Sequence, residues 1–331
     1  MADACLRPVS ILRLRPRSGD HRMALKEKLR DGPVLYEIVP PRKDTSRYQS
    51  ELRGVEEVLH DPRIDAVNVP ELTKREEGGR VRYSPVTIPP EEYALMIKEY
   101  KEPVVNMIAP RLPMEAFLRR ARKVLDDYGF QNLVLVGKEK SGDVLPGPGV
   151  LEALGALRPV KGAGVALGGI CIFDRRSVDT GEYGDENGRL DEARRVWAKA
   201  KAGCDFVTAQ IAFDPGPALD FLTSYKVLCD AKGTEPVTIF VSLATIPSPS
   251  ILSLIESLDV VVPPSMKRAL GGGAQMGRRS VELSAEVFRE VVAGVESRRL
   301  DVPLGLQVEQ VGVNSGGLAL ELLDRVHPML P

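Results

Sequence analysis

The sequence from Val34 to Arg42 reads Val-Leu-Tyr-Glu-Ile-Val-Pro-Pro-Arg and directly follows the dipeptide Gly-Pro. An apolar run bounded by a Gly-Pro turn signal and by Pro-Pro predicts the first buried strand of a sheet. Glu37 lies inside this run, where an isolated carboxylate is unfavourable unless it is protonated, paired or used in chemistry. Two interpretations are open: a structural Glu paired with a Lys or Arg, or a functional carboxyl.

Seven further apolar runs follow this strand, and each precedes a segment with helical character. They cover residues 66–71, 104–109, 132–138, 165–173, 206–213, 237–243 and 304–308. Short continuous apolar runs are typical of parallel strands covered on both faces, and eight strand–helix units predict a (β/α)8 TIM barrel. A doubly wound open sheet is the alternative, but no strand is followed by Gly-x-Gly-x-x-Gly and no P-loop occurs. We expect an irregular loop from Lys74 to Pro90.

Length, charge and composition limit the remaining possibilities. The chain has 331 residues and a formal net charge of -1, so no global field would recruit nucleic acid or an anionic membrane. No apolar run is long enough to span a bilayer. The Arg-rich start lacks the apolar core of a signal peptide. We therefore expect a cytoplasmic protein with an N-terminal extension, residues 1–22, and a barrel, residues 23–331; translation could start at Met1 or at Met23.

The four cysteines and three histidines are too dispersed for a metal centre or a disulfide framework. No Cys-x-x-Cys pair occurs, and none of the histidines ends an apolar strand. The sequence therefore predicts no metal site and no histidine-centred catalysis.

Polar residues end or follow most of the predicted strands. They are Glu37, Asn68, Glu71, Asn106, Lys138, Glu139, Thr208, Gln210, Gln307 and Glu309. In a barrel the active site forms at the C-terminal ends of the strands. A set rich in amides and carboxylates favours binding of a flat, hydrogen-bonding heterocycle over metal-dependent hydrolysis. Each residue alone also has a structural explanation, such as capping a loop or pairing with an Arg, so it is the cluster that predicts a site.

Two segments resemble the methylenetetrahydrofolate reductase family. The first begins at Glu37 and continues to Pro-Pro-Arg, and the second runs from Ala202 to Asp214 as Ala-Gly-Cys-Asp-Phe-Val-Thr-Ala-Gln-Ile-Ala-Phe-Asp. The order of elements resembles the family from about Met23 onward. The resemblance implies a (β/α)8 barrel that holds FAD and reduces methylenetetrahydrofolate to methyltetrahydrofolate, commonly with NAD(P)H as electron donor.

The resemblance also implies roles for individual residues on the substrate side. Glu37 would be the general acid, because the methylene bridge accepts hydride only after one of its C–N bonds has opened. Gln210 would hydrogen-bond the edge of the pterin ring. The other substrate-binding candidates come from the strand ends: Asn68, Thr208, Gln307 and Glu309.

On the cofactor side, Asn106, Gly137 and Lys199 fall near positions that contact the flavin in the family. Lys138 is the fourth cofactor-binding candidate and also a departure, because the family's fourth strand usually ends in Arg-Gly-Asp and this one ends in Val-Gly-Lys. Two alternatives therefore stay open: a flavin-free barrel that binds a pterin and transfers its methyl group, and a non-catalytic partner subunit. The expected partners are a folate or related pterin, together with a second copy of this chain or a redox or methyl-transfer protein.

Overall fold

The computed structural model describes residues 23–42, 55–76, 81–140, 142–175, 191–312 and 315–330. Within these ranges, eight parallel strands close into a barrel, and a separate antiparallel pair, β3 and β4, lies outside it. The strands are β1 (Val34–Glu37), β2 (Ala66–Val69), β3 (Thr73–Glu76), β4 (Arg82–Pro85), β5 (Glu102–Ile108), β6 (Asn132–Val136), β7 (Ala166–Cys171), β8 (Phe206–Ala209), β9 (Thr238–Ala244) and β10 (Leu304–Glu309). The predicted (β/α)8 barrel is confirmed.

Helices alternate with the barrel strands along the chain. They are α1 (Leu25–Lys28), α2 (Glu56–His60), α3 (Pro90–Ile97), α4 (Met114–Arg122), α5 (Val150–Leu157), α6 (Asp191–Ala202), α7 (Pro215–Lys232), α8 (Pro249–Ser257), α9 (Pro264–Leu270), α10 (Met276–Ser297) and α11 (Gly316–Val326). Their ends follow from local chemistry: the Asp214 carboxylate accepts a hydrogen bond from the Gly216 N–H at the start of α7, and Gly233 ends it with φ +59°. No helix among the described residues is both long and apolar enough to cross a membrane.

The inside of the barrel is an apolar core closed at its N-terminal end. Seven barrel strands each contribute one inward-facing residue to this core: Leu35, Ala66, Val104, Val134, Ala166, Phe206 and Phe240. Leu25 and Leu29, from α1 and the residue after it, pack into the same cluster and form its floor. Because side chains of a strand alternate between its two faces, the residues two positions after these apolar ones also point inward. Among the described residues, apolar side chains therefore fill the N-terminal end of the interior, and the inward-facing polar side chains lie toward the C-terminal ends of the strands.

Gly168 makes room for the Phe206 ring in this core. A Cβ at Gly168 would lie 2.6 Å from two ring carbons of Phe206 and 2.9 Å from Val134 Cγ2. We expect Gly168→Ala to lower the free energy of unfolding by about 1–3 kcal/mol, because the core would be overpacked. The matched control is Gly155→Ala in α5, where no atom lies within 4 Å of the added Cβ and the free energy of unfolding should rise slightly. Urea denaturation measures both, and equal effects would contradict this explanation.

The structure differs from one local prediction, and a second prediction concerns residues that the structure does not describe. The segment predicted as an irregular loop from Lys74 to Pro90 contains the hairpin strands β3 and β4, in which Arg75 pairs with Tyr83. The prediction was wrong because the hairpin strands consist mostly of polar and charged residues and lack the apolar periodicity that marks a buried strand. The N-terminal extension, residues 1–22, lies outside the described residues.

Candidate functional site

A set of polar side chains faces the inside of the barrel near the C-terminal ends of its strands. Its members are Glu37, Asn68, Asn106, Thr208, Ser242, Gln307 and Glu309, here called the mouth cluster. Most lie two residues after a core position, as Glu37 follows Leu35 and Thr208 follows Phe206. The alternation that buries the apolar layer thus also brings these polar groups together.

Two carboxyl groups form the centre of the mouth cluster. Glu37 and Glu309 occupy paired positions on the adjacent strands β1 and β10. The Asn68 amide donates a hydrogen bond to Glu37 Oε2 at 2.8 Å, and the Gln307 amide donates one to Glu309 Oε1 at 3.0 Å. Among the described residues, neither carboxyl has an ion-pair partner. The structural interpretation of Glu37, pairing with a Lys or Arg, is therefore not supported by the described contacts.

The protein around these carboxyls favours their protonated forms. Burial raises the pKa of Glu37 well above its usual range, the nearby Glu309 raises it further, and the Asn68 hydrogen bond offsets this only in part. Burial also raises the pKa of Glu309, to about 7, against the lowering effect of the Gln307 hydrogen bond. A carboxyl whose pKa is raised in this way keeps its proton to higher pH than an exposed one, which is the property that a proton donor needs.

The mouth cluster also presents amide oxygens that lack a hydrogen-bond partner. Asn68 Oδ1, Asn106 Oδ1 and Gln307 Oε1 are buried and have no partner among the described residues. For Asn68 and Gln307 the orientation is fixed, because each amide nitrogen donates to a carboxyl group. Buried acceptors without partners are uncommon in folded proteins. Their presence at one barrel mouth indicates a binding site for a ligand that donates several hydrogen bonds.

Gln210 stands apart from this cluster. Its amide nitrogen donates a hydrogen bond to the Leu258 carbonyl oxygen at 3.1 Å, just after α8. The residues around this contact form a second apolar cluster between the ends of β8 and β9 and the segment that contains α8 and α9. In this conformation Gln210 attaches that segment to β8. Its predicted contact with a pterin stays a prediction.

The four predicted cofactor residues do not share one surface. Asn106 belongs to the mouth cluster, whereas the exposed Lys138 has its Nζ 3.4 Å from the Asp143 carbonyl oxygen. Lys199 lies on the outer side of β7, where its Nζ donates to the Ile170 carbonyl oxygen at 2.5 Å and its stem covers Gly169. At Gly137 an added Cβ would meet only Val150, in ordinary contact. Asn106, Gly137 and Lys138 thus belong to the C-terminal ends of the adjacent strands β5 and β6, whereas Lys199 lies elsewhere, and their contact with a flavin stays a prediction.

The Glu71 carboxylate, at the end of β2, is engaged in a structural network. It accepts a hydrogen bond from the Ile108 N–H at 2.7 Å and pairs with Arg111 at 2.7 Å and Arg120 at 2.8 Å. Arg120 also pairs with Glu91 at 2.7 Å. These contacts join the ends of β2 and β5 to helices α3 and α4. Glu71 therefore supports the mouth from outside the cluster.

A second network attaches the β3–β4 hairpin to the loop after β6. The Arg75 guanidinium pairs with Asp143 at 2.6 Å, and the Tyr83 hydroxyl donates to the same carboxylate at 2.7 Å. The Arg75 hydrogen bond, supported by the one from Tyr83, holds the pKa of Asp143 well below its usual range. The hairpin thus reaches from the end of β2 to the end of β6, beside the mouth.

Sequence reasoning missed Ser242. This residue sits in the apolar run of β9, two positions after the core residue Phe240, and it pairs in register with Gln307. The alternation of β9 contains the signal, because a hydroxyl on the inward face near a strand's C-terminal end belongs to the mouth.

Two cavities of about 330 Å³ each are lined by residues outside the mouth cluster. One lies at the floor of the barrel, near Met23, and the other lies beside Glu71.

The fold and the site together define a (β/α)8 barrel with a carboxylate–amide site at its mouth. No protein-family model matches the chain, and no curated protein matches its sequence. Among solved structures, an uncharacterized protein from Clostridium thermocellum that binds two copies of 5-methyl-5,6,7,8-tetrahydrofolic acid is similar. It is 19% identical, with a TM-score of 0.71 over 92% of this chain and 99% of that chain. The spore cortex-lytic enzyme SleL of Bacillus cereus is 10% identical, with a TM-score of 0.49 over 90% of this chain and 74% of that chain.

Proposed function

We propose that this protein binds a reduced folate at the mouth cluster and that Glu37 donates a proton during a one-carbon reaction of that folate. The observation that carries the proposal is the buried Glu37 carboxyl, whose pKa burial raises, beside buried amide oxygens that lack partners among the described residues. The similar barrel from Clostridium thermocellum, which binds a methyltetrahydrofolate, supports the choice of ligand.

The chemistry of a reduced pterin matches these acceptors. Its ring carries several N–H groups along one edge, and the oxygens of Asn68, Asn106 and Gln307 can accept hydrogen bonds from them. Glu37 would then protonate a nitrogen of the one-carbon bridge. One C–N bond opens as a result, and the carbon becomes able to accept hydride. The protein's own contribution is to orient the ring and to hold that proton.

The full form of the proposal is a methylenetetrahydrofolate reductase-like oxidoreductase. FAD as the hydride source and NAD(P)H as the electron donor are predictions of the sequence resemblance. The flavin-side residues Asn106, Gly137, Lys138 and Lys199 belong to that part of the proposal. The alternatives are a flavin-free barrel that transfers the methyl group of a pterin and a non-catalytic partner subunit. The visible absorption spectrum of the purified protein distinguishes them, since a flavin band supports the reductase.

The folate proposal is tested by calorimetric titration with 5-methyltetrahydrofolate. We expect saturable binding by the wild type and an affinity about tenfold lower for Asn68→Leu, which keeps the branched side-chain shape but removes the acceptor together with the amide donor to Glu37. The matched control is Asn132→Leu, because Asn132 Oδ1 is also buried without a partner but lies at the floor of the barrel. Absence of binding by the wild type, or equal losses in the two variants, would reject this site.

A further inference from the structure

We infer that the cavity beside Glu71 is a subsite for the aminobenzoyl-glutamate tail of the folate, and that Arg111 binds a carboxylate of that tail. The inference rests on the proposed function, because it assigns a place to a second part of the same ligand. The mouth cluster accounts for the pterin ring alone. A folate also carries an aromatic ring and a glutamate with two carboxylates, and these groups extend beyond the pterin.

The cavity lies directly beyond the mouth, at the ends of two neighbouring strands. Glu71 follows Asn68 of β2 by three residues, and Arg111 follows Asn106 of β5 by five. The two strands pair with each other, and the Glu71 carboxylate accepts a hydrogen bond from the Ile108 N–H at the end of β5. Three residues span at most about 11 Å, so the wall of the cavity begins within that distance of the Asn68 backbone. A ligand whose ring lies at the mouth can therefore extend its tail into this cavity.

Part of the cavity wall is apolar and rigid. It is lined by Pro85, Ile88, Pro89 and Pro90 together with Leu72, which is 37% exposed. Proline side chains lose almost no conformational freedom on contact, and an exposed leucine beside them offers apolar area that a ligand can cover. An aromatic ring is suited to such a surface. The volume of about 330 Å³ lies at the lower end of the range for small-molecule sites.

Arg111 is the cation in this cavity that can take a further anion. The Arg120 guanidinium is already committed, because it donates from Nε and Nη2 to Glu91 and from Nη1 to Glu71. Among the described residues Arg111 makes one ion pair, from Nη2 to the same Glu71 oxygen that Arg120 contacts. Its Nε is buried and has no hydrogen-bond partner within that part of the chain. An arginine binds a carboxylate through two nitrogens at once, so a tail carboxylate would supply the acceptor that Arg111 lacks.

Calorimetric titration with two ligands tests the inference. 5-Methyltetrahydrofolate carries the tail, whereas 6-methyltetrahydropterin has a reduced ring without it. We expect the wild type to bind the folate about tenfold more tightly than the pterin, or better. Arg111→Met should lower the folate affinity about tenfold and leave the pterin affinity unchanged, because a charged hydrogen-bond donor to the tail is lost. Glu71 keeps Arg120 as a partner in this variant, and an unchanged pterin affinity shows that the mouth is intact.

Arg63→Met is the matched control. Arg63 also pairs with a carboxylate, that of Asp61, and it lines the cavity of equal volume at the floor of the barrel. Both affinities should stay at the wild-type level in this variant. If Arg111→Met does not fold, Arg111→Lys takes its place. It keeps the charge opposite Glu71 but not the paired donors, so a smaller loss confined to the folate is expected.

The two ligands separate a failure of the inference from a failure of the proposed function. Equal affinities of the wild type for folate and pterin would overturn the tail subsite and keep the folate site at the mouth. Unchanged folate affinity in Arg111→Met, or an equal loss for both ligands, would also overturn it, since neither result requires a contact with the tail. Binding of neither ligand to the wild type would reject the proposed function, and the tail subsite with it.

Discussion

Glu37→Gln is expected to lower turnover between methylene- and methyltetrahydrofolate by about 10²- to 10⁴-fold, with binding of 5-methyltetrahydrofolate largely retained. Gln has the size of Glu and can still accept the Asn68 hydrogen bond, but it has no proton to give at neutral pH. The reaction needs that proton before the carbon of the one-carbon bridge can accept hydride. Folate conversion and calorimetric affinity, measured on the same preparation, separate the loss of the proton from a loss of binding.

Glu102→Gln is the matched control for this experiment. Glu102 lies at the opposite end of the barrel, where it accepts hydrogen bonds from the Leu25 N–H at 2.9 Å and from the Asn132 amide at 2.6 Å. Burial raises the pKa of Glu102 as well, so the control removes a comparable carboxyl far from the mouth. Turnover should be unchanged in this variant. Wild-type turnover in Glu37→Gln would exclude Glu37 as the proton donor.

The second large effect concerns stability. Glu71→Ala is expected to lower the free energy of unfolding by about 3 kcal/mol, because it leaves two partly buried guanidinium groups without their shared carboxylate. Those groups belong to Arg111 and Arg120, and the Ile108 N–H would lose its acceptor at the same time. Chemical denaturation measures the change, and the slope with denaturant should stay constant if only stability changes.

Glu76→Ala provides a surface carboxylate for comparison. Glu76 is exposed on the β3–β4 hairpin and accepts a hydrogen bond from the Ser84 hydroxyl at 3.0 Å. Its removal should change the free energy of unfolding by about 0.5 kcal/mol or less. A similar loss in both variants would mean that the Glu71 network contributes no more than an ordinary surface contact.

The barrel could be predicted from the sequence because its strands are short apolar runs, each followed by helical spacing. The hairpin formed by β3 and β4 could not, because its side chains are largely polar and its shape depends on contacts such as Arg75 with Asp143. The strand-end pattern by itself did not separate Glu71 from Glu37, since both are acidic residues at strand ends, and only the family resemblance favoured Glu37. Their difference is tertiary: Glu71 meets two arginines, whereas Glu37 meets an amide and another carboxyl.

Sequence alone determined the (β/α)8 barrel, the position of Glu37 on its first strand and the polar character of the strand ends, because these follow from local patterns of apolar and polar residues. Only the tertiary structure decided which polar groups meet. Glu309 lies 272 positions after Glu37 in the chain, and barrel closure between β1 and β10 makes them neighbours. A carboxyl's pKa depends on the groups that surround it in space, so the raised pKa of Glu37 arises only once the barrel is closed.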